Sequence, residues 1–234
     1  MTPYREGLPE VPPFMRALPV DPRGFPVPWF TPWDNVEKRW RFDAADFSKM
    51  DRALRGHLCW ICGKRLFRNL AFVIGPMCAI NRTTSEPPSH CECARFAAQA
   101  CPFLARPRMR RTPHEEGEVL APAGIMLPRN PGCCLVWVTR MFFVRNGGLF
   151  SIADPVRVEA YAEGRRATPK DVVESIRTGL PALLELCTTG DDHVELRQRL
   201  KDAWRRLRLP GNPLELLPPN SWESNHGSNT VLRA

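Results

Sequence analysis

The sequence predicts an α+β protein, and three observations carry that prediction. A Cys-x2-Cys pair at 59–62 and a His-x2-Cys pair at 90–93 bracket a short apolar stretch. A run rich in β-branched and aromatic residues follows at 134–161, broken by Asn146-Gly147. Two amphipathic stretches with helix-start signals lie beyond Thr168.

The first 35 residues are dominated by prolines, among them Pro12, Pro13, Pro26, Pro28 and Pro32. Proline removes backbone donors and favours extended chain, so no helix or central strand is expected there. Phe14, Phe25, Trp29, Phe30 and Trp33 are interspersed, however, and a solvated linker would lack them. The reading is an extended arm, 1–43, held on the body of the protein by its rings. Gripping a partner is the functional alternative. A short helix over 44–56 follows, with Asp43 as its cap, Phe47, Met50, Ala53 and Leu54 at helical spacing, and Gly56 as its end.

Leu58-Cys59-Trp60-Ile61-Cys62-Gly63 has the form of a zinc knuckle: two thiolates separated by two residues share one tetrahedral ion, and glycine permits the tight turn. Residues 70–80 read as a strand pair broken at Gly75-Pro76. Ser89 then caps a helix running from His90 to Cys101, which sets His90 and Cys93 on one face and turns Cys91 away. Knuckle, strands and helix in that order make a treble-clef-like subdomain over 44–112 with Cys59, Cys62, His90 and Cys93 as ligands of Zn2+. A subdomain this small has little core, so the ion would supply much of its folding energy. Cys78 and Cys101 are additional metal or core candidates. A site using Cys78 in place of His90 and an iron–sulfur cluster on Cys59, Cys62, Cys78 and Cys93 are the rival assignments. Six of the nine cysteines fall within 59–101. That clustering, in a chain that does not open on a basic segment followed by an apolar one, points to metal rather than disulfides.

Asn81, Arg82 and Glu86 sit in a polar loop closed by Pro87-Pro88. They are candidates for ligand binding or acid–base chemistry; an Arg82–Glu86 pair with Asn81 satisfying the loop backbone is the plainer account. Arg106, Arg108, Arg110 and Arg111 form a basic stretch that could contact nucleic acid.

Segment 113–165 reads as an antiparallel β meander: Cys134–Val144, a turn at Asn146-Gly147, Leu149–Ile152, and a third strand from Val156. Segment 166–211 reads as a helical hairpin. Its first helix starts at Thr168-Pro169-Lys170-Asp171, buries Val172, Val173, Ile176, Leu180, Leu183 and Leu184, and is kinked or interrupted by Pro181. Its second starts near Asp191, turns Val194, Leu200, Ala203, Trp204 and Leu207 inward, and stops at Pro210-Gly211. The arginine-rich outer face of that helix, 197–208, is a solvated surface or a phosphate-contacting one. The polar tail, 212–234, is expected to be disordered.

The formal net charge is +8 and the pI about 9.3, which favours association with phosphate backbones. Of the 33 basic residues only 5 are lysine, a bias that a GC-rich genome also produces. No apolar run reaches the length of a membrane span, so the expectation is a soluble protein of the cytoplasm with nucleic acid or a protein partner and no membrane.

Taken together, RGFPVPWF, LCWICG, FVIGPMCAINRTTSEPPSHCECA, ACPFL, RNPGCCLVWVT and RVEAYAEGR resemble a recurring group of phage and prophage proteins with a CxxC…HxxC core. The likeness spans most of residues 19–185. It implies a phage or prophage gene in a bacterial host cell, and origin more than chemistry. By that resemblance Cys59, Cys62, Cys78, His90, Cys93 and Cys101 are recurrent metal or core positions, whereas Cys91 and Cys134 are peculiar to this chain. The leading expectation is a zinc-stabilised binding protein. An enzyme is the alternative, either a treble-clef nuclease or an activity centred on 81–86, and a structural or host-interaction protein is the third. The nuclease lacks a well-placed base, since His57 precedes the knuckle and His114 follows the helix.

Overall fold

The computed structural model describes residues 4–42, 44–105, 131–145 and 148–218. The fold is α+β with antiparallel sheets, and the described residues include six α-helices. None of those helices is long and apolar enough to cross a membrane.

The arm folds back on itself rather than running straight. Val20 bridges Pro26, and Asp21 closes the turn between them by accepting the amides of Arg23 and Phe25. Gly24 holds φ +83° there, with the Arg5 backbone so close that a Cβ would meet it at 2.5 Å. A small hairpin follows, β1 (Trp33–Asp34) with β2 (Arg39–Trp40), pinned by an edge-on Trp33–Trp40 contact. Helix α1 (Met50–Arg55) is entered through a 3-10 turn at Phe47–Lys49. The 3-10 turn is capped by Asp46, which accepts the Ser48 amide; the expected cap, Asp43, lies outside the described residues.

The central sheet has the order β3–β5–β8–β9: β3 (Leu70–Ile74), β5 (Cys134–Thr139), β8 (Arg157–Ala162) and β9 (Arg165–Arg166). Every residue of β5 is buried, because both faces of the sheet are covered. Cys134, Val136 and Val138 face α3 (Cys91–Ala100), meeting Ala94 and Ala98. Leu135 and Trp137 face the main core, built with α2 (Pro76–Asn81), α5 (Pro169–Leu184) and α6 (Gly190–Leu207). A second sheet, β4–β7–β6, is formed by β4 (Thr83–Thr84), β7 (Leu149–Ile152) and β6 (Phe142–Arg145). Helix α4 (Pro102–Ala105) continues the chain after α3.

Several expectations change. The stretch 70–80 is not a strand pair: Gly75 is extended, Pro76 takes the first helical position of α2, and Arg82, at φ 60°, ends that helix. The run Cys134–Val144 is not one strand. Thr139 accepts the Met141 amide and donates to the carbonyl of Asp154, which turns the chain, so that β5 and β6 enter different sheets. The third strand, β8, accordingly pairs with β5 and not with β7. The β6–β7 hairpin forms as read, although Asn146-Gly147 lie outside the described residues.

Helix α5 begins where its sequence predicts, with Thr168 as cap and Pro169 first, and the acid of its first turn, Asp171, completes a full capping box. It is not interrupted by Pro181: the ring is exposed in the last turn, the helix loses the one hydrogen bond that an amide there would make, and the Glu185 amide still bonds to the Pro181 carbonyl. Helix α6 carries a second capping box, Thr189 with Asp192. Its buried stripe is Leu196, Leu200, Ala203 and Trp204, and Val194 points out at 63% exposure, two residues out of phase with Leu196. The polar tail begins with packed structure: a 3-10 turn at Pro213–Leu216 and a buried Leu217. Residues 219–234 lie outside the described residues.

Candidate metal centre

Two separate pieces of chain bring the four expected ligands together. The first is the knuckle. Cys59 and Cys62 flank a turn in which the Gly63 amide bonds back to the Cys59 carbonyl, and the Cys62 amide points at the Cys59 sulfur from 3.4 Å. Gly63 adopts φ +69° and the Trp29 ring lies against it, 2.8 Å from where a Cβ would stand, so both conformation and space require glycine. The second piece is the start of α3. His90 is its N-cap and Cys93 lies in its first turn. Ser89, expected to cap, is instead the residue through which the chain pairs with Ala71 of β3. That pairing ties the helix start to the central sheet.

Cys59 Sγ, Cys62 Sγ, His90 Nδ1 and Cys93 Sγ all lie within 4.8 Å of one another, and all four residues are buried. His90 Nδ1 is 3.3 Å from Cys62 Sγ and 3.9 Å from Cys93 Sγ. A tetrahedral ion with metal–sulfur bonds of about 2.3 Å and a metal–nitrogen bond of about 2.0 Å sets its ligands about 3.5–3.8 Å apart. The donor set therefore fits one small cation. The far side of the imidazole is also arranged for that role: Nε2 lies 2.8 Å from the Arg65 carbonyl, which fixes it as the protonated nitrogen and leaves Nδ1 with a lone pair toward the sulfurs. The His90 amide points at Cys59 Sγ from 3.3 Å, stabilising thiolate character there.

The electrostatics follow from crowding. Burial opposes ionisation of Cys59, but hydrogen bonds from Cys62, Cys93 and His90 outweigh it and hold that thiol far below its usual range. The same neighbours act in reverse on Cys93, whose thiol is pushed far up by Cys59 and Cys62. Burial lowers the His90 pKa, yet its contacts with Cys59 and Cys62 dominate and raise it to about 10, so a cation entering the quartet would free the Nδ1 lone pair by displacing its proton. Ionising all three sulfurs together requires a compensating positive charge, which a divalent ion at their centre provides.

Aromatic rings enclose the cluster from two sides. Phe14 stacks on the His90 ring with centroids 4.5 Å apart, Phe67 tilts against it at 5.2 Å, and Val11 and Met15 of the arm join the buried sulfurs. On the other side Trp60 is clamped by Phe30, stacked at 5.3 Å, and by Trp29, edge-on at 6.1 Å. The arm is thus the roof of the cysteine cluster.

Cys78 and Cys101 are not part of the quartet. Cys78 packs against the main core from α2, and Cys101 ends α3. Among the described residues the quartet is the one group suited to a metal, so neither assignment that draws on Cys78 gains support. In the 81–86 loop, Arg82 is committed to the fold: its guanidinium donates to the Ile152 carbonyl at 2.9 Å, pairs with Asp154 at 2.8 Å and lies over the Trp137 ring. Its carboxylate partner is Asp154 rather than Glu86. The Asn81 carbonyl accepts from Arg199, and the Glu86 amide bonds to Thr84 Oγ1. Arg106, Arg108, Arg110, Arg111 and His114 lie outside the described residues. On α6, Arg199 and Arg205 pair with Glu195 and Asp202, and Arg206 shares Asp154 with Arg82, so part of its basic face is paired in place.

Sequence reading missed one polar cluster. Glu159 on β8 is buried beneath Arg95 of α3, Arg157 and Arg166. Arg95 and Glu159 are 64 residues apart in the chain, and no local pattern announces such a pair.

Comparison with family models, with curated proteins and with solved structures finds no match to this chain.

Proposed function

We propose that the chain is a non-catalytic, zinc-stabilised binding protein of phage or prophage type, acting in the bacterial cytoplasm on nucleic acid or on a partner that handles it. The observation that carries the zinc assignment is the buried quartet of three sulfurs and one imidazole at tetrahedral spacing. Soft thiolates with one imidazole favour zinc over the hard cations that prefer oxygen. Cys59, Cys62, His90 and Cys93 would hold the ion, and four protein ligands leave no position for water or substrate, so its contribution would be structural.

The surroundings are treble-clef-like in having a knuckle and a helix that carries the second ligand pair. They depart from that plan between the two, where β3, α2 and β4 replace a hairpin. The same closure counts against a treble-clef nuclease, because His90 is engaged with the sulfurs and is not available as a base. The integration of Arg82 into the β7 backbone counts against chemistry at the 81–86 loop. The inward packing of Phe14 and Phe30 counts against an arm whose rings grip a host protein.

The nucleic-acid part rests on the +8 charge. It predicts binding of labelled single- or double-stranded oligonucleotides in mobility-shift assays at about 50 mM salt, weakening steeply toward about 200 mM as counterions are released. Absence of binding at the lower salt, or binding indifferent to salt, would overturn it.

A further inference from the structure

The Glu159 cluster concentrates more positive charge than its fold requires. Arg95 reaches Glu159 through three contacts, from Nε at 2.9 and 3.1 Å and from Nη2 at 2.7 Å, so both carboxylate oxygens are engaged by one guanidinium. Tyr161 adds its hydroxyl, donated to Oε2 at 2.9 Å. A buried carboxylate with a bidentate arginine and a phenol is already well satisfied. Two further guanidiniums nevertheless converge on it: Arg157 Nε at 2.9 Å from Oε1, and Arg166 Nη2 at 3.1 Å from Oε2. Arg166 also lies over the Tyr161 ring, 4.8 Å from its centroid. Three cations around one anion leave a local excess of two positive charges.

The placement of these groups adds to the argument. The Glu159 side chain is only 5% exposed, whereas those of Arg95, Arg157 and Arg166 are 32%, 49% and 63% exposed. The carboxylate sits beneath, and the guanidiniums radiate from it toward solvent with most of their donors unspent. Each arginine comes from, or beside, a fixed element: Arg95 from α3, Arg157 and Glu159 from β8, Arg166 from β9. Mutual repulsion among three guanidiniums is tolerated here because one buried anion anchors all three, and an oxyanion bridging their outer edges would relieve it. A planar, pre-oriented set of donors is the form that recognises phosphate.

We infer that Arg157 and Arg166, with Arg95 beside them, form a phosphate-binding site on the exposed edge of the central sheet, organised from below by Glu159 and Tyr161. The phosphodiester backbone as its natural source rests on the nucleic-acid reading above; the site itself does not.

The test uses full-length protein and the double substitution Arg157→Gln/Arg166→Gln, which leaves the Arg95–Glu159 pair in place. The control is Arg55→Gln/Arg177→Gln, which removes the same charge from exposed residues each paired one-to-one, with Asp51 and Glu174. Oligonucleotide binding is followed by fluorescence anisotropy across a salt series, and inorganic phosphate is titrated while the arginine Nε resonances are observed by NMR. The expected result is a loss of affinity on the order of ten-fold at low salt and a salt slope shallower by about two for the site variant, with the control unchanged. Phosphate should perturb Arg157 and Arg166 in the parent protein. Phosphate binding there without oligonucleotide binding would uphold the site and remove the nucleic-acid reading. Oligonucleotide binding unaffected by the double substitution would overturn the site and leave that reading standing. Neither ligand binding would overturn both. Arg166→Gln alone, the most exposed position, serves the same comparison if the double variant melts well below the parent.

Discussion

Cys59→Ser yields a protein that retains no metal and whose knuckle, arm and α3 no longer hold together. Serine preserves size and removes only the soft ligand, so the change isolates coordination from packing. Structural zinc contributes about 10–16 kcal/mol to folding in small metal-organised units. A whole domain typically holds a net stability of only about 5–15 kcal/mol. The local packing around Cys59 does not make up such a loss: besides the sulfurs, the buried residues of that cluster are Val11, Met15, Ile61, Phe96 and Ala100, and the others packed on it, Phe14 and Phe30 among them, are only partly buried. The consequence extends beyond the site, because α3 also covers one face of the central sheet through Ala94 and Ala98. Trp60 is 1% exposed and clamped between Phe30 and Trp29, so its release should appear as a red shift in tryptophan emission along with loss of helical circular dichroism. A Cys59→Ser protein that melts with the parent and keeps its emission maximum would show that the quartet is only a group of buried thiols.

Trp137→Ala has the second-largest expected effect, on the opposite side of the molecule. Trp137 is fully buried on β5 against the main core. Truncating such a ring costs about 3–5 kcal/mol through lost burial and the cavity left behind. Two further contacts are lost with it. Its indole N–H donates to the Ala153 carbonyl at 3.0 Å, and the Arg82 guanidinium lies 5.1 Å from its centroid. Urea denaturation should therefore show an unfolding free energy lowered by that amount, read as an earlier midpoint with little change in slope. Trp137→Phe keeps most of the volume and loses the hydrogen bond, and should cost about 1–2 kcal/mol. A cost below about 1 kcal/mol for the alanine variant would contradict the burial of Trp137 against the main core.

The parts of this molecule legible in its sequence are those written in short-range chemistry. The Cys-x2-Cys and His-x2-Cys spacings announced the quartet that the fold gathers, and Thr168-Pro169-Lys170-Asp171 announced the start of α5 to the residue. What could not be read depends on partners distant in the chain. Cys134–Val144 looks like one strand because β5 is buried on both faces and shows no alternation; the break is made by Thr139 bonding to Asp154, 15 residues away. Gly75-Pro76 carried two meanings, a turn or a helix start, and the tertiary context chose the second. The aromatic arm was recognisable as anchored, but nothing local said that Phe14 would stack on a metal-ligand candidate. The Glu159 cluster joins α3, β8 and β9 and has no sequence signature at all.

The central claim is that Cys59, Cys62, His90 and Cys93 grip a single ion, and elemental analysis combined with native mass spectrometry tests it most directly. The account predicts one zinc per chain in protein purified without added metal, and unfolding when a strong chelator removes it. A chain that carries no transition metal and keeps its melting transition in the chelator would contradict it.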